Sequence, residues 1–140
     1  MQQMREFFEQ YATAYSKGDV AAICAKYHVP VVIISDKSKQ VYSSTERLQE
    51  HIQGWIDRLK TAGIEQFEVD VRQVMPLSEN IYFTSVKWHC SDRSGQELMD
   101  CFCSYTVQRT ELGDLSLLVC VLDDEEQKLD ALINRQGNEN

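Results

Sequence analysis

Met4, Phe8, Tyr11 and Tyr15 recur at intervals of four, three and four residues, and Phe7 widens the stripe, so the pattern predicts an amphipathic helix over residues 2–16. Gly18 is placed to end that helix in a left-handed conformation. Asp19 then offers an acceptor to the free amides of a short second helix, in which Val20, Ile23, Cys24 and Tyr27 share one side. Pro30 is expected to close it, because the residue before a proline is pushed out of helical geometry. Residues 31–34 are β-branched throughout and predict a strand; a polar turn over 36–39 returns the chain through Gln40, Val41 and Tyr42 as a short hairpin. Ser43 and Glu46 have the spacing of a capping box for a third helix, whose Leu48, Ile52, Trp55, Ile56 and Leu59 keep helical spacing up to Gly63.

The rest of the chain reads mainly as sheet. Phe67, Val69 and Val71 alternate with Glu68, Asp70 and Arg72, the mark of a strand with one wet face. Strand-like runs follow over 81–90, 97–109 and 115–122, and the short polar connections between them imply antiparallel neighbours. Asp123 to Glu126 put negative charge at the start of a last helix, over 123–136, which has Leu129, Leu132 and Ile133 as a docking stripe. Residues Gly137 to Asn140 are expected to fray.

Composition narrows the function more than the fold. The chain has 140 residues, the size of one domain around one core. Its 22 Asp and Glu outweigh 14 Lys and Arg, and a net charge of -8 argues against nucleic acid or an anionic membrane surface as partner. Cys24, Cys90, Cys101, Cys103 and Cys120 are odd in number and lie in apolar runs, so they read as small buried hydrophobes in a reducing, cytoplasmic compartment. The one-residue spacing of Cys101 and Cys103 is not that of a zinc knuckle, and the three histidines lack mutual helical spacing, so neither metal nor cofactor is expected. No secretory signal is evident, and no apolar run is long enough to span a bilayer.

The order of helix, Gly18-Asp19, helix ending in Tyr27, Pro30, β-branched strand, hairpin and helix, followed by a four-stranded meander, resembles the nuclear transport factor 2-like superfamily. The resemblance covers about residues 4–122 and implies an α+β, cone-shaped single domain over 1–140. Its N-terminal helices would pack in the concave face of a curved, mainly antiparallel sheet, with the C-terminal helix as an addition. Members include ketosteroid isomerases, polyketide cyclases of the SnoaL-like kind, dehydratases and plain binding or dimerisation modules. The fold therefore leaves the activity open. In the enzymes an apolar cavity opens at one end of the cone. Against the isomerase pattern, Tyr11 corresponds to the tyrosine of the oxyanion hole, and Asp100-Cys101-Phe102 matches the motif of an aspartate followed two residues later by phenylalanine. The general-base position falls on Ser35, which cannot serve as a base at neutral pH; Asp36, one residue on, would face the other way on a regular strand.

Read without the resemblance, the strand around Asp100 has two candidate faces. Leu98, Asp100, Phe102, Ser104 and Thr106 share a mixed face that fits a cavity wall, whereas Met99, Cys101, Cys103, Tyr105 and Val107 share an apolar face that fits packing or a homodimer contact. On a cavity wall Asp100 would have a raised pKa and act as acid or base; at the rim it would pair with a lysine or arginine. Tyr11 and Tyr15 either bury satisfied hydroxyls or touch a ligand. His51, between Leu48 and Trp55 on the third helix, is either a satisfied structural histidine or a cavity group. The resulting expectation is a cavity that binds a small hydrophobic or carbonyl-bearing metabolite, with Tyr15, His51, Trp55, Phe102 and Ser35 as contacts. The alternatives are an isomerase, cyclase or dehydratase that transfers protons through Asp100 with Tyr11 as donor, and a dimeric interaction module without a ligand.

Overall fold

The computed structural model describes residues 1–138. Its elements run α1 (Gln2–Lys17), α2 (Val20–Cys24), β1 (Tyr27–Ile34), β2 (Lys39–Tyr42), α3 (Thr45–Thr61), β3 (Gln66–Pro76), β4 (Ile81–Ser91), β5 (Glu97–Arg109), β6 (Leu115–Leu122) and α4 (Glu125–Asn138). The six strands form one sheet in the order β2-β1-β6-β5-β4-β3. Only β1 and β6 pair in parallel; every other neighbour is antiparallel. This is the expected α+β cone, with helices against the inner face of a curved sheet.

The turn between the first two helices is built as its residues predict. Gly18 adopts φ 63°, a conformation costly for any side chain, and the Asp19 side chain accepts from the Ala22 amide at 3.1 Å. The second helix is shorter than expected. It stops at Cys24, and Tyr27 already pairs with Leu117 of β6, so Pro30 lies inside β1 instead of ending a helix. The strand tolerates this proline because the β1–β6 register shifts between Tyr27 and Val32, where a missing N–H removes no ladder bond. At α3 the cap is Ser44, one residue later than expected, which accepts from the Arg47 amide at 3.3 Å. Gly137 and Asn138 are helical in α4, contrary to the expected fraying; residues 139–140 lie outside the described residues.

The core forms where α1 crosses the inner sheet face. Met4, Phe8 and Tyr11 are buried, and the Phe8 ring packs 5.1 Å from Tyr105 and 6.2 Å from Tyr11. On β5 the inward residues are Met99, Cys101, Cys103, Tyr105 and Val107, all buried within the single chain. That decides between the alternatives for each face. The apolar face packs in the cone's own core and not at a dimer contact, and the mixed face, with Phe102 41% exposed, points outward and is no cavity wall.

The last helix is more than an appendage. β6 ends at Leu122, opposite Cys103, which leaves the first half of β5 with a free edge. There the Phe102 amide donates to Asp124 Oδ1 at 2.7 Å, so the junction itself protects the edge. α4 then packs Leu129 and Leu132 into the core and ties to α3 through Arg58–Asp130 at 2.6 Å and Gln136 Nε2 to the Ala62 carbonyl at 2.7 Å.

Candidate functional site

The helices do not fill the cone. A cavity of about 430 Å³ remains between α1, α3, the start of α4 and the inner sheet face. Its depth is aromatic. Tyr11 and Tyr15 come from successive turns of α1, Tyr27 from the start of β1, Trp88 from β4 and Tyr105 from β5. Tyr11 sits at the centre of the cluster, with ring centroids 5.1 Å from Tyr15, 5.9 Å from Tyr27 and 5.7 Å from Trp88, all edge to face. Its mouth is formed by the half-exposed side of α3, where Glu50, His51, Gly54, Trp55 and Arg58 face Glu126 of α4.

The polar groups inside are few. The Tyr11 and Tyr27 hydroxyls share a hydrogen bond. Two hydroxyls carry two protons, so one O–H remains for another acceptor. Burial pushes both above the ordinary tyrosine range, as it does Tyr15 and Tyr105, so all four stay protonated donors at neutral pH. The Trp88 indole N–H is already committed to the Tyr105 hydroxyl at 3.2 Å. His51 Nδ1 is 3.0 Å from the Tyr42 hydroxyl, and burial lowers its pKa, leaving a neutral imidazole at the mouth.

Glu125 is the group that the sequence analysis overlooked. Its place in an acidic run at a helix start reads as an exposed, dipole-stabilising charge. Because α4 folds back across β5, the carboxylate instead lines the cavity, where the buried Cys103 thiol donates to Oε2 at 2.8 Å. Desolvation is the main cause that pushes its pKa up to about 8, with neighbouring acidic groups adding to it. The only sequence signal was the position of this run, directly after the strand that pairs with β5.

Asp100 is not in the cavity. It points outward from β5, 3.3 Å from both Lys87 Nζ and Lys128 Nζ, and hydrogen bonds from Lys128 and then Lys87 lower its pKa. This is the rim pairing with lysine, the opposite of the raised pKa that proton transfer at neutral pH would use. Phe102 shares that outer face, with Lys87 Nζ 5.5 Å from its ring centroid. Ser35 is in the β1–β2 turn, where its hydroxyl accepts from the Lys37 and Ser38 amides, and Asp36 is exposed in the same turn. Thus Tyr11, Tyr15, His51 and Trp55 converge on one hollow, while Asp100, Phe102 and Ser35 lie outside it.

Five cysteines are free and buried. Among the described residues, the ligand atoms of Cys101, Cys103 and Glu125 lie within 4.8 Å of one another, as do those of His89, Glu97 and Asp100. The first group is accounted for by the thiol–carboxylate hydrogen bond. In the second, His89 is held by Glu97 at 2.6 Å and Asp70 at 3.2 Å, while Asp100 is occupied by its two lysines. Among the described residues, no helix is long and apolar enough to cross a membrane.

A curved sheet wrapped over helices around a hollow, aromatic interior defines a cone-shaped α+β fold. The chain matches the family described as "NTF2-like protein (DUF6841)" over residues 2–123, and it belongs to that family. Among solved structures it is similar to an NTF2-like protein of unknown function from Shewanella oneidensis, with 10% identity, a TM-score of 0.69, and coverage of 88% of this chain and 98% of the other. A ketosteroid isomerase-like protein from Erwinia carotovora is 12% identical, with a TM-score of 0.64 and 87% and 93% of the two chains covered. A domain of unknown function with a cystatin-like fold from Nostoc punctiforme is 16% identical, with a TM-score of 0.68 and 97% and 90% covered. At such identities these likenesses establish the fold alone. No curated protein matches the chain.

Proposed function

We propose that the protein binds a small, largely apolar metabolite in the cone cavity, held through an oxygen, such as a carbonyl, that accepts from the Tyr11–Tyr27 hydroxyl pair. The observation that carries this reading is the open space of about 430 Å³ lined by Tyr11 and Tyr27, whose hydroxyls are bonded to each other. Cavities of this size accept drug-sized ligands and are typically apolar with a few convergent polar groups. Aromatic side chains do not fill the hollow, which disfavours a module without a ligand. Trp55 and Trp88 both line it, so binding is readable as a change in intrinsic fluorescence. A panel of aromatic and alicyclic ketones, each beside its deoxygenated hydrocarbon, tests the idea. We expect at least one ketone to bind, and Tyr11→Phe to weaken it roughly five- to ten-fold, the loss of one hydrogen bond. Absence of binding across the panel sinks the reading.

A proton-transfer activity is favoured by one observation, the Glu125 carboxyl within the cavity and its pKa near neutrality. On this second reading Glu125, not Asp100, moves the proton. Deuterium exchange next to the carbonyl of a bound ketone, lost in Glu125→Gln with binding retained, would support it; exchange at the uncatalysed rate in the unaltered protein would refute it.

A further inference from the structure

We infer that the ligand of the cavity carries a positive charge, an amine or quaternary ammonium group on its apolar body. The inference rests on the cavity-binding reading and names the ligand class more closely.

Three features of the hollow point to a cation. The first is the rings. Tyr11, Tyr15, Tyr27, Trp88 and Tyr105 line its depth, and aromatic faces attract an organic cation most strongly where water is excluded. The second is the sign of the lining charge. Glu50 and Glu126 contribute two carboxylates and Glu125 a third carboxyl, against which Arg58 is the sole lysine or arginine. That guanidinium is already engaged, 2.6 Å from Asp130 on the outer side and stacked 5.6 Å from the Trp55 ring centroid. The remaining basic group of the lining, His51, is held neutral by burial.

The third feature is the state of Glu125. It receives a hydrogen bond from the neutral Cys103 thiol, and among the described residues no Lys, Arg or His nitrogen lies within 4.0 Å of its carboxylate. The groups that surround it from β5, β6 and α4 are thiols, at Cys101, Cys103 and Cys120, and acids, at Asp124 and Glu126. A half-buried carboxyl without a counter-charge holds its proton near neutrality and is costly to ionise. This chain supplies no counter-charge, whereas a cationic ligand would displace that proton, place its charge against the Glu125 carboxylate and lay its apolar body among the rings.

A matched pair tests the charge alone: benzyltrimethylammonium and its neutral isostere neopentylbenzene, titrated separately into the unaltered protein at pH ~9, above the Glu125 pKa, with tryptophan fluorescence as readout. The expected result is at least ten-fold tighter binding of the cation. In Glu125→Gln, shown by circular dichroism to be folded, that preference should fall to less than about three-fold. The comparison on the unaltered chain decides the matter even if the variant does not fold. Equal or tighter binding of the neutral compound overturns the inference and leaves the cavity reading standing. Binding of neither also overturns the inference, and the ketone panel then decides the cavity reading by itself.

Discussion

The Cys103 thiol and the Glu125 carboxylate meet at 2.8 Å across the junction of β5 and α4, and this contact fixes the one acid that faces the cavity interior. Folding raises the Glu125 pKa from 4.5 to about 8, so between those values the folded chain keeps a proton that the unfolded chain has released. Stability therefore falls as pH rises from about 4.5 to 8, by an amount on the order of a few kcal/mol. Glu125→Gln should remove most of this slope and unfold at higher denaturant concentration than the unaltered protein at pH ~8. A variant with the same pH slope as the parent would contradict the burial of this carboxyl.

On the outer surface the pH slope has the same sign, but here the protonated form is the charged one. The Glu97 and Asp70 carboxylates raise the pKa of His89, with the hydrogen bond to Glu97 as the largest cause. The stabilisation from its charged form is complete below the ordinary histidine pKa of about 6.5 and is lost as pH rises through the higher folded value. His89→Gln should therefore destabilise the protein at pH ~5.5 and have little effect at pH ~9. NMR titration of the His89 ring would give its folded pKa directly, and a value at or below about 6.5 would contradict the pairing.

Asp100→Asn should leave any ligand affinity within about two-fold, because its carboxylate lies outside the cavity between Lys87 and Lys128. The expected stability loss is about 1 kcal/mol or less, as for partly exposed ion pairs. A large loss of binding or turnover at unchanged fold would return Asp100 to the functional site.

Phe8→Ala removes a fully buried ring that packs against Phe7, Tyr11 and Tyr105. A destabilisation of about 3–5 kcal/mol is expected, measurable by chemical denaturation. The same substitution enlarges the space beneath the tyrosine cluster. A variant with native stability would mean that the α1–sheet contact is not the centre of the core.

The chain announces its elements more clearly than its inner surface. Gly18 and Asp19 act locally, through one positive φ and one cap, so their roles are readable from type and spacing. The inward side of β5 is a tertiary fact. Neither of its faces is plainly polar, and a shift of one residue exchanges them. The motif around Asp100 favoured the even face, although the uninterrupted apolar run at Met99, Cys101, Cys103, Tyr105 and Val107 was the better guide to the core. Tyr27 has the spacing of a helical residue and Trp88 carries no mark of its own; pairing within the sheet brings both to the cavity. Glu125 was hidden for a different reason, since its burial depends on the direction in which α4 leaves β6.

That direction makes the cone and its acid separable. α4 is a 14-residue segment anchored by two buried leucines, and through its first residue it adds the carboxyl to an interior otherwise built by α1, α3 and the strands. Exchanging this segment would change the polarity of the hollow without altering a strand, so the ligand preference of the scaffold can be reprogrammed from one end of the chain.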